Sequence, residues 1–432
     1  MKVIQLTQQT RQEVAGRLME RKTGHYGEIE ERVAAILERV RTGGDEALFG
    51  YTKEFDHAEL TAQTVQVTAE EMDEARAAVG DEMIGVMSRA MENIRRFHEK
   101  QRRNSWFTTD ANGTMLGQKI QPLDRVGVYV PGGKAAYPSS VLMSIVPAKA
   151  AGVGEVIMTT PPGRDGKVSP YTLTAASLAG VDRVYKVGGA QAIAAMAFGT
   201  ESIPQVDKIV GPGNIYVALA KKAVYGNVSI DSVAGPSEIL VLADDSARAR
   251  YVAADLLSQA EHDEMASAIL VTTSQRLADE VVREIEGFLP GLERRAIIEK
   301  SLEQYGYILV AEDMEQAVEM VNEIASEHLE IVTANPFEVM GKVRHAGAIF
   351  LGESSSEPLG DYFAGPNHIL PTAGTARFFS PLGVDDFIKK SSIIYYSRDA
   401  LRDISGDIIR FAQAEGLTAH ANSIAVRFED ES

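Results

Sequence analysis

Val126-Gly127-Val128-Tyr129-Val130 followed by Pro131-Gly132-Gly133 reads as a buried strand that ends in a turn: four of its five residues are β-branched or aromatic, and Pro and Gly then break the pattern. Helix-length and strand-length segments alternate after it. A helix is expected over Ser139 to Ala151, and strands over Glu155 to Thr159, Val184 to Val187 and Lys208 to Val210. Such alternation implies right-handed βαβ units on a parallel sheet.

Downstream the rhythm repeats, with strands expected at Glu238 to Ala243, Ala268 to Thr272, Ile308 to Ala311, Leu329 to Thr333 and Ala348 to Leu351. Asp313 with Gln316 three residues later marks one helix start, and Asn335-Pro336 marks another as cap and first turn. No short-period repeat is visible, and the two sets share only the rhythm. Upstream, residues 1 to about 105 look helical: Thr68-Ala69-Glu70-Glu71 fits a capping box, and Met83, Met87, Met91, Ile94 and His98 recur at helical spacing as a core face. Near the C-terminus, Ile393-Ile394-Tyr395-Tyr396 reads as a strand, Ala400 to Glu415 as a helix and Leu417 to Val426 as a polar tail. The expected fold is α/β, with two doubly wound parallel-sheet, incomplete Rossmann-like units and helical additions. Its expected parts are a helical region over 1–125 packing with the second α/β unit, α/β units over 126–237 and 238–377, and a C-terminal segment over 378–432.

The composition narrows the function. With 432 residues the chain has room for two or three domains. Its 43 Lys and Arg against 61 Asp and Glu leave a net charge of −18, which disfavours nucleic-acid backbones and anionic membrane surfaces. The absence of cysteine excludes disulfides, thiolate metal sites and sulfur nucleophiles, so any metal must take His, carboxylate or amide ligands. No signal-peptide pattern or long apolar run occurs, so a soluble cytoplasmic protein is expected.

Three glycine turns follow strand ends in the first α/β set: Pro131-Gly132-Gly133, Gly188-Gly189-Ala190-Gln191 and Gly211-Pro212-Gly213-Asn214. They fit a nucleotide crevice at the carboxyl ends of parallel strands, and they fit ordinary βα turns as well; a P-loop is absent. Of the eight histidines, His25, His57, His98 and His345 stand without clustered partners and read as structural or surface residues. Gln259 and His262, three apart near a helix end, can point at one cation, and a satisfied polar helix end accounts for them too. Glu327-His328 places two proton acceptors of different basicity in a helix-to-strand connection, which suits two proton removals or a plain solvated loop. Asp361 and His368 lie in a Gly/Pro-rich stretch, and Glu415 and His420 in the C-terminal segment.

These residues, in this order, resemble the histidinol dehydrogenase family. The resemblance covers nearly the whole chain. Its motifs are Gly127 to Gly133, Val141-Leu142-Met143, Gly188-Gly189-Ala190-Gln191-Ala192, Lys208 to Asn214, Asp231 to Glu238, Gln259-Ala260-Glu261-His262-Asp263, Ser326-Glu327-His328-Leu329-Glu330 and Gly360-Asp361-Tyr362. No departure from the family pattern is seen. The resemblance implies a zinc-dependent homodimer, with one zinc per subunit, that oxidises L-histidinol to L-histidine with two NAD molecules, the last step of histidine biosynthesis.

It further implies zinc ligands at Gln259, His262, Asp361 and His420, and a proton-transfer pair at Glu327 and His328. Substrate contacts are implied at Ser237, His368 and Glu415 and at the zinc ligands and His328, and NAD contacts at Tyr129, Gln191 and Asn214. The C-terminal segment would cross to the partner subunit, so Glu415 and His420 would act in trans. In the implied chemistry His328 removes the alcohol proton, Glu327 activates water to hydrate histidinaldehyde, and His328 acts again in the second oxidation. The alternatives are a zinc hydrolase, a noncatalytic small-molecule binder, and a related dehydrogenase acting on another small alcohol; NADH formation separates the dehydrogenases from the rest.

Overall fold

The computed structural model describes residues 1–20, 27–132, 136–233 and 235–429. Gly133 and His25, named above, lie outside them, as does Ala234 within the motif Asp231 to Glu238. The chain divides into two compact units, one of Met1–Gln101 with Leu123–Phe387, the other of Arg102–Pro122 with Ile388–Ser432. In chain order the strands are β1 (Lys2–Gln5), β2 (Trp106–Thr109), β3 (Met115–Pro122), β4 (Arg125–Tyr129), β5 (Glu155–Thr159), β6 (Arg183–Tyr185), β7 (Lys208–Val210), β8 (Ser229–Ile230), β9 (Glu238–Ala243), β10 (Ser267–Thr272), β11 (Gly306–Val310), β12 (His328–Val332), β13 (Ala348–Leu351) and β14 (Ile388–Tyr395).

The larger unit holds the two expected parallel sheets. One runs β6-β5-β4-β7-β8 and the other β1-β11-β10-β9-β12-β13, with every neighbouring pair parallel. More than rhythm is shared, contrary to expectation. Counted within its own set, each sheet has its strands in the order third, second, first, fourth, fifth, so each has a switch point between its first and fourth strands, at β4/β7 and at β9/β12. Ordinary periodicity cannot reveal this, because strand order is set by long-range pairing. Helices cover both faces, so strands such as Glu-Ile-Leu-Val-Leu-Ala of β9 are buried throughout, as the continuous apolar runs suggest.

The N-terminal region departs from the all-helical expectation. Lys2–Gln5 adds a sixth parallel strand beside β11, with Val3 opposite Ile308. Four residues are too few to display a period, and the partner strand lies far along the chain. The helices Gly27–Phe55, Ala69–Val79 and Asp81–Glu99 pack on the first α/β unit, not the second: Val33, Leu37, Val40 and Leu48 share a core with Ile193 and Met196, and Met87 and Ile94 share one with Met143 and Ile145. Among the described residues of this region, the second sheet's core is joined by Ile4 of β1, by Leu6 just after it, and by Val14 and Leu18 of the helix Gln8–Glu20. The Thr68 capping box is present, Thr68 Oγ1 accepting from Glu71 N at 3.2 Å and Glu71 Oε2 from Thr68 N at 2.9 Å. Met87, Ile94 and His98 of the apolar stripe are buried, while Met83 is exposed.

The smaller unit is an antiparallel sheet β14-β3-β2 with helices Arg398–Ala414 and Thr418–Ala425. The stretch read as a polar tail is therefore a second helix. It packs on its predecessor through small residues, with Ala412 and Ala421 buried, and so small an apolar face gives a weak helical signal. No described helix is long and apolar enough to cross a membrane.

Candidate active site

Glu327 and His328 sit where the chain enters β12. The helix Met314–Ile324, capped by Asp313 accepting from Gln316 N at 2.8 Å, ends at Ala325 with φ +52°. A left-handed turn at a non-glycine residue costs of order 1 kcal/mol and directs Ser326, Glu327 and His328 into the sheet rather than outward. Gly347 lies alongside: a Cβ there would stand 2.5 Å from the Glu327 carbonyl oxygen, so only glycine lets β13 approach so closely.

Both side chains are buried and anchored on Glu238 at the start of β9. Glu327 Oε2 accepts from Glu238 N at 2.9 Å, and His328 Nδ1 lies 3.0 Å from Glu238 O. A carbonyl only accepts, so Nδ1 carries the hydrogen and the neutral ring keeps its lone pair on Nε2. His328 Nε2 is buried without a hydrogen-bond partner, 3.9 Å from Asp361 Oδ1. Burial dominates the electrostatics: it pushes the Glu327 carboxyl well above the ordinary carboxylate range against the hydrogen bond from Glu238 N, with the charges of Glu238, Asp361 and Glu357 adding to the rise, and it lowers His328 to about 4 against the pull of Asp361.

Asp361 is the hub. His368 Nδ1 donates to the Asp361 carbonyl at 3.0 Å and stands 3.6 Å from its Oδ1, which leaves His368 Nε2 to accept from Ser140 Oγ at 3.2 Å. On the other side, ligand atoms of His262, Glu357 and Asp361 all lie within 4.8 Å of one another, a spacing that suits one cation. His262 follows the helix Ala249–Ala260 in a turn, its N–H bonded to Gln259 O at 3.2 Å. Gln259 remains on the helix, its Oε1 buried and without a partner.

Glu357 was not singled out from the sequence. The signal was available, since Glu357 and Asp361 are four residues apart and so fall on one face of the short helix Glu357–Tyr362. Its carboxyl is pushed up to about 8, by burial first and Asp361 second. Ser258 Oγ donates to Glu357 Oε2 at 3.4 Å, Glu357 N donates to Glu330 Oε1 at 2.8 Å, and Glu357 Oε1 has no partner. Ser140, which reaches the site from the helix Pro138–Ala151, was also missed; nothing local in its sequence distinguishes it.

The glycine turns collect at the carboxyl ends of the first sheet. Tyr129 closes β4, its hydroxyl accepting from Gly189 N at 3.2 Å, and burial raises it to about 12. Asn214 caps the helix Ile215–Val224 with its side-chain oxygen, and Gln191 is buried with Nε2 unpartnered. Ser237 is half-buried immediately before Glu238, its carbonyl accepting from Ser267 N at 3.0 Å. Of the expected site residues, Gln259, His262, Glu327, His328, Asp361 and His368 belong to the larger unit. Glu415 and His420 belong to the smaller one, Glu415 at the C-cap of Arg398–Ala414 and His420 on Thr418–Ala425, both exposed.

The family model for histidinol dehydrogenase matches residues 19–428 of this chain. The chain belongs to the histidinol dehydrogenase family. A histidinol dehydrogenase from Clostridium acetobutylicum is 56% identical over 412 residues, covering 95% of both chains, and one from Halalkalibacterium halodurans is 58% identical over 399 residues, covering 92% of this chain and 94% of that one. The crystal structure of histidinol dehydrogenase from Elizabethkingia anophelis superposes with a TM-score of 0.89 at 39% identity, covering 93% of this chain and 92% of that one. Membership in the histidinol dehydrogenase family thus agrees with the resemblance carried by the ordered motifs.

Proposed function

We propose that this chain catalyses the NAD-linked, four-electron oxidation of L-histidinol to L-histidine in the cytoplasm, with Glu327 and His328 as the proton-transfer pair. The observation that carries the reading is His328, whose Nδ1 is pinned by a carbonyl while its bare Nε2 faces Asp361 beside the His262, Glu357 and Asp361 group.

Zinc fits the donor set: Gln259, His262 and Asp361, with His420 of the partner subunit, would hold it, and Gln259 offers a buried amide oxygen with no other partner. When bound, zinc supplies a Lewis acid that anchors the imidazole and amino nitrogens of the substrate. NAD, held over the glycine turns by Tyr129, Gln191 and Asn214, supplies the hydride acceptor for each oxidation. His328 Nε2 takes the hydroxyl proton of the alcohol, and later that of the hydrated aldehyde. Between the two oxidations Glu327 takes a proton from water as it adds to the carbonyl carbon. No cysteine exists to form a thiohemiacetal, so water must provide the added oxygen. Ser237, His368 and Glu415 contact the substrate in this reading, and the His368 ring is held by Ser140.

A homodimer completes the site. In the smaller unit only Thr114, Ala400, Ala412 and Ala421 are buried among the described residues, while Trp106, Phe107, Ile394, Tyr395 and Phe411 are half or more exposed. A surface so apolar calls for a cover. A second copy, burying more than about 2,000 Å² as permanent dimers do, would supply it and bring Glu415 and His420 in trans. The test is NADH absorbance on mixing purified protein with histidinol and NAD. Two NADH per histidinol support the proposal, and an enzyme with its full metal content that reduces no NAD refutes it.

A further inference from the structure

Lys221 and Asp231 are buried, charged and unused by the chemistry above. Their side chains form an ion pair only 3% and 4% exposed, and both grip one glycine. Lys221 Nζ donates to Gly211 O at 2.9 Å, while Gly211 N donates to Asp231 Oδ2 at 2.8 Å. Asp231 Oδ1 is fixed in turn by Ser232 N at 2.7 Å. Every polar backbone atom of Gly211 is therefore held by a charge.

Gly211 needs such holding. It follows β7 directly with φ +116°, where a Cβ would stand 2.0 Å from the Tyr129 carbonyl oxygen, and it starts the turn whose last residue, Asn214, caps the next helix. Without these anchors its N–H and C=O have no sheet partner to fix the peptide plane. Lys221 lies two turns along that same helix and reaches back to its start. The adjacent Lys222, by contrast, is exposed and pairs with Glu30 on the surface. Buried ion pairs are a poor source of stability compared with apolar side chains of similar size, which points away from stability as the reason for this pair.

We propose that Lys221 and Asp231 are positioning residues for the coenzyme, a charged clamp that sets the Gly211 peptide so that the Gly211-Pro212-Gly213-Asn214 turn presents a fixed surface to NAD. The proposal rests on the reading that NAD binds at this turn.

The deciding variant is Lys221→Met with Asp231→Leu, in the full chain, which removes both charges together and keeps the volume filled. Thermal midpoint, metal content, and NAD and histidinol affinities by calorimetric titration are measured, with the KM for NAD set against kcat. The clamp predicts a folded protein with its full metal content, histidinol affinity within twofold of the parent and NAD affinity weakened tenfold or more. A folded double variant whose NAD affinity stays within twofold of the parent overturns it. Asp231→Asn serves if the double variant fails to fold; it keeps an acceptor for Gly211 N and loses the charge, and an unchanged KM for NAD in that variant likewise overturns the clamp. Amide exchange of the parent separates the two layers of inference. If NAD fails to slow exchange at Gly211, Gly213 and Asn214, the coenzyme reading of this turn falls; if it slows exchange there while the double variant binds NAD normally, only the clamp falls.

Discussion

Replacing Glu327 by Gln separates folding from chemistry at one atom. The side chain is 8% exposed, and its Oε2 accepts from Glu238 N at 2.9 Å; a glutamine oxygen can accept the same bond in the same volume. Because burial favours the protonated carboxyl, the neutral amide escapes the cost of taking up a proton on folding and should leave the protein at least as stable as the parent near pH 7. Loss of a positioned base costs about 10²- to 10⁴-fold, or about 3–5 kcal/mol of barrier. That loss should fall on the aldehyde step, where water is activated, and much less on the alcohol step. Rates of NADH formation are compared with histidinol and with supplied histidinaldehyde. The pH dependence gives a second signature. A raised carboxyl keeps its proton in the folded state after the unfolded chain has released it, so this group's stabilising contribution is full below about 4.5 and is lost as pH rises toward the folded value. Glu327→Gln should lack that decline, and with it the rising limb of aldehyde oxidation that the base form produces. If the variant oxidises histidinaldehyde at the parental rate, Glu327 does not activate water.

The neighbouring His328 has the opposite sign: its folded value of about 4 lies below the ordinary 6.5, so its contribution is intact above 6.5 and is lost as pH falls toward 4. Metal-free protein should lose about 3 kcal/mol over that window in urea titrations, and His328→Asn should flatten the slope. Chelation should abolish turnover, and His262→Asn should lose both zinc and activity; full zinc content in that variant would show the ligand assignment to be wrong. Coexpressing His262→Asn with His420→Asn subunits should restore activity, because a heterodimer with shared tails has one undamaged site; a verified but inactive heterodimer would place each chain's tail in its own site.

How much of this was legible in the sequence follows from the range of the interactions. Strands β7 and β9 coincide with the apolar runs that predicted them, since continuous burial is written locally. Thr68 and Asp313 announced their helices because a cap acts within three residues. Lys2–Gln5, Trp106–Thr109 and Met115–Pro122 escaped, as short or half-exposed strands whose partners are remote. The same reason hides the shared strand order of the two sheets.

The site carries a further lesson about where ligands lie on parallel sheets. The glycine turns meet the rule that crevices open at carboxyl ends beside a switch point, here between β4 and β7. Glu327 and His328 break it, for they stand at the amino ends of β9 and β12, at the switch point of the other sheet. On the proposed function no phosphate is approached at that end, so no glycine turn is needed there. What is needed is a pair of side chains facing across two adjacent strands, and Glu238, the first residue of β9, supplies both a donor for Glu327 and an acceptor for His328. Gln259 and His262 arrive there because the helix after β9 runs back to the amino edge before β10 begins. On the proposed function, two sheets with one strand order offer opposite ends to two jobs, coenzyme turns on one and proton transfer on the other, and a reading that looked for chemistry only at carboxyl ends would pass over His328.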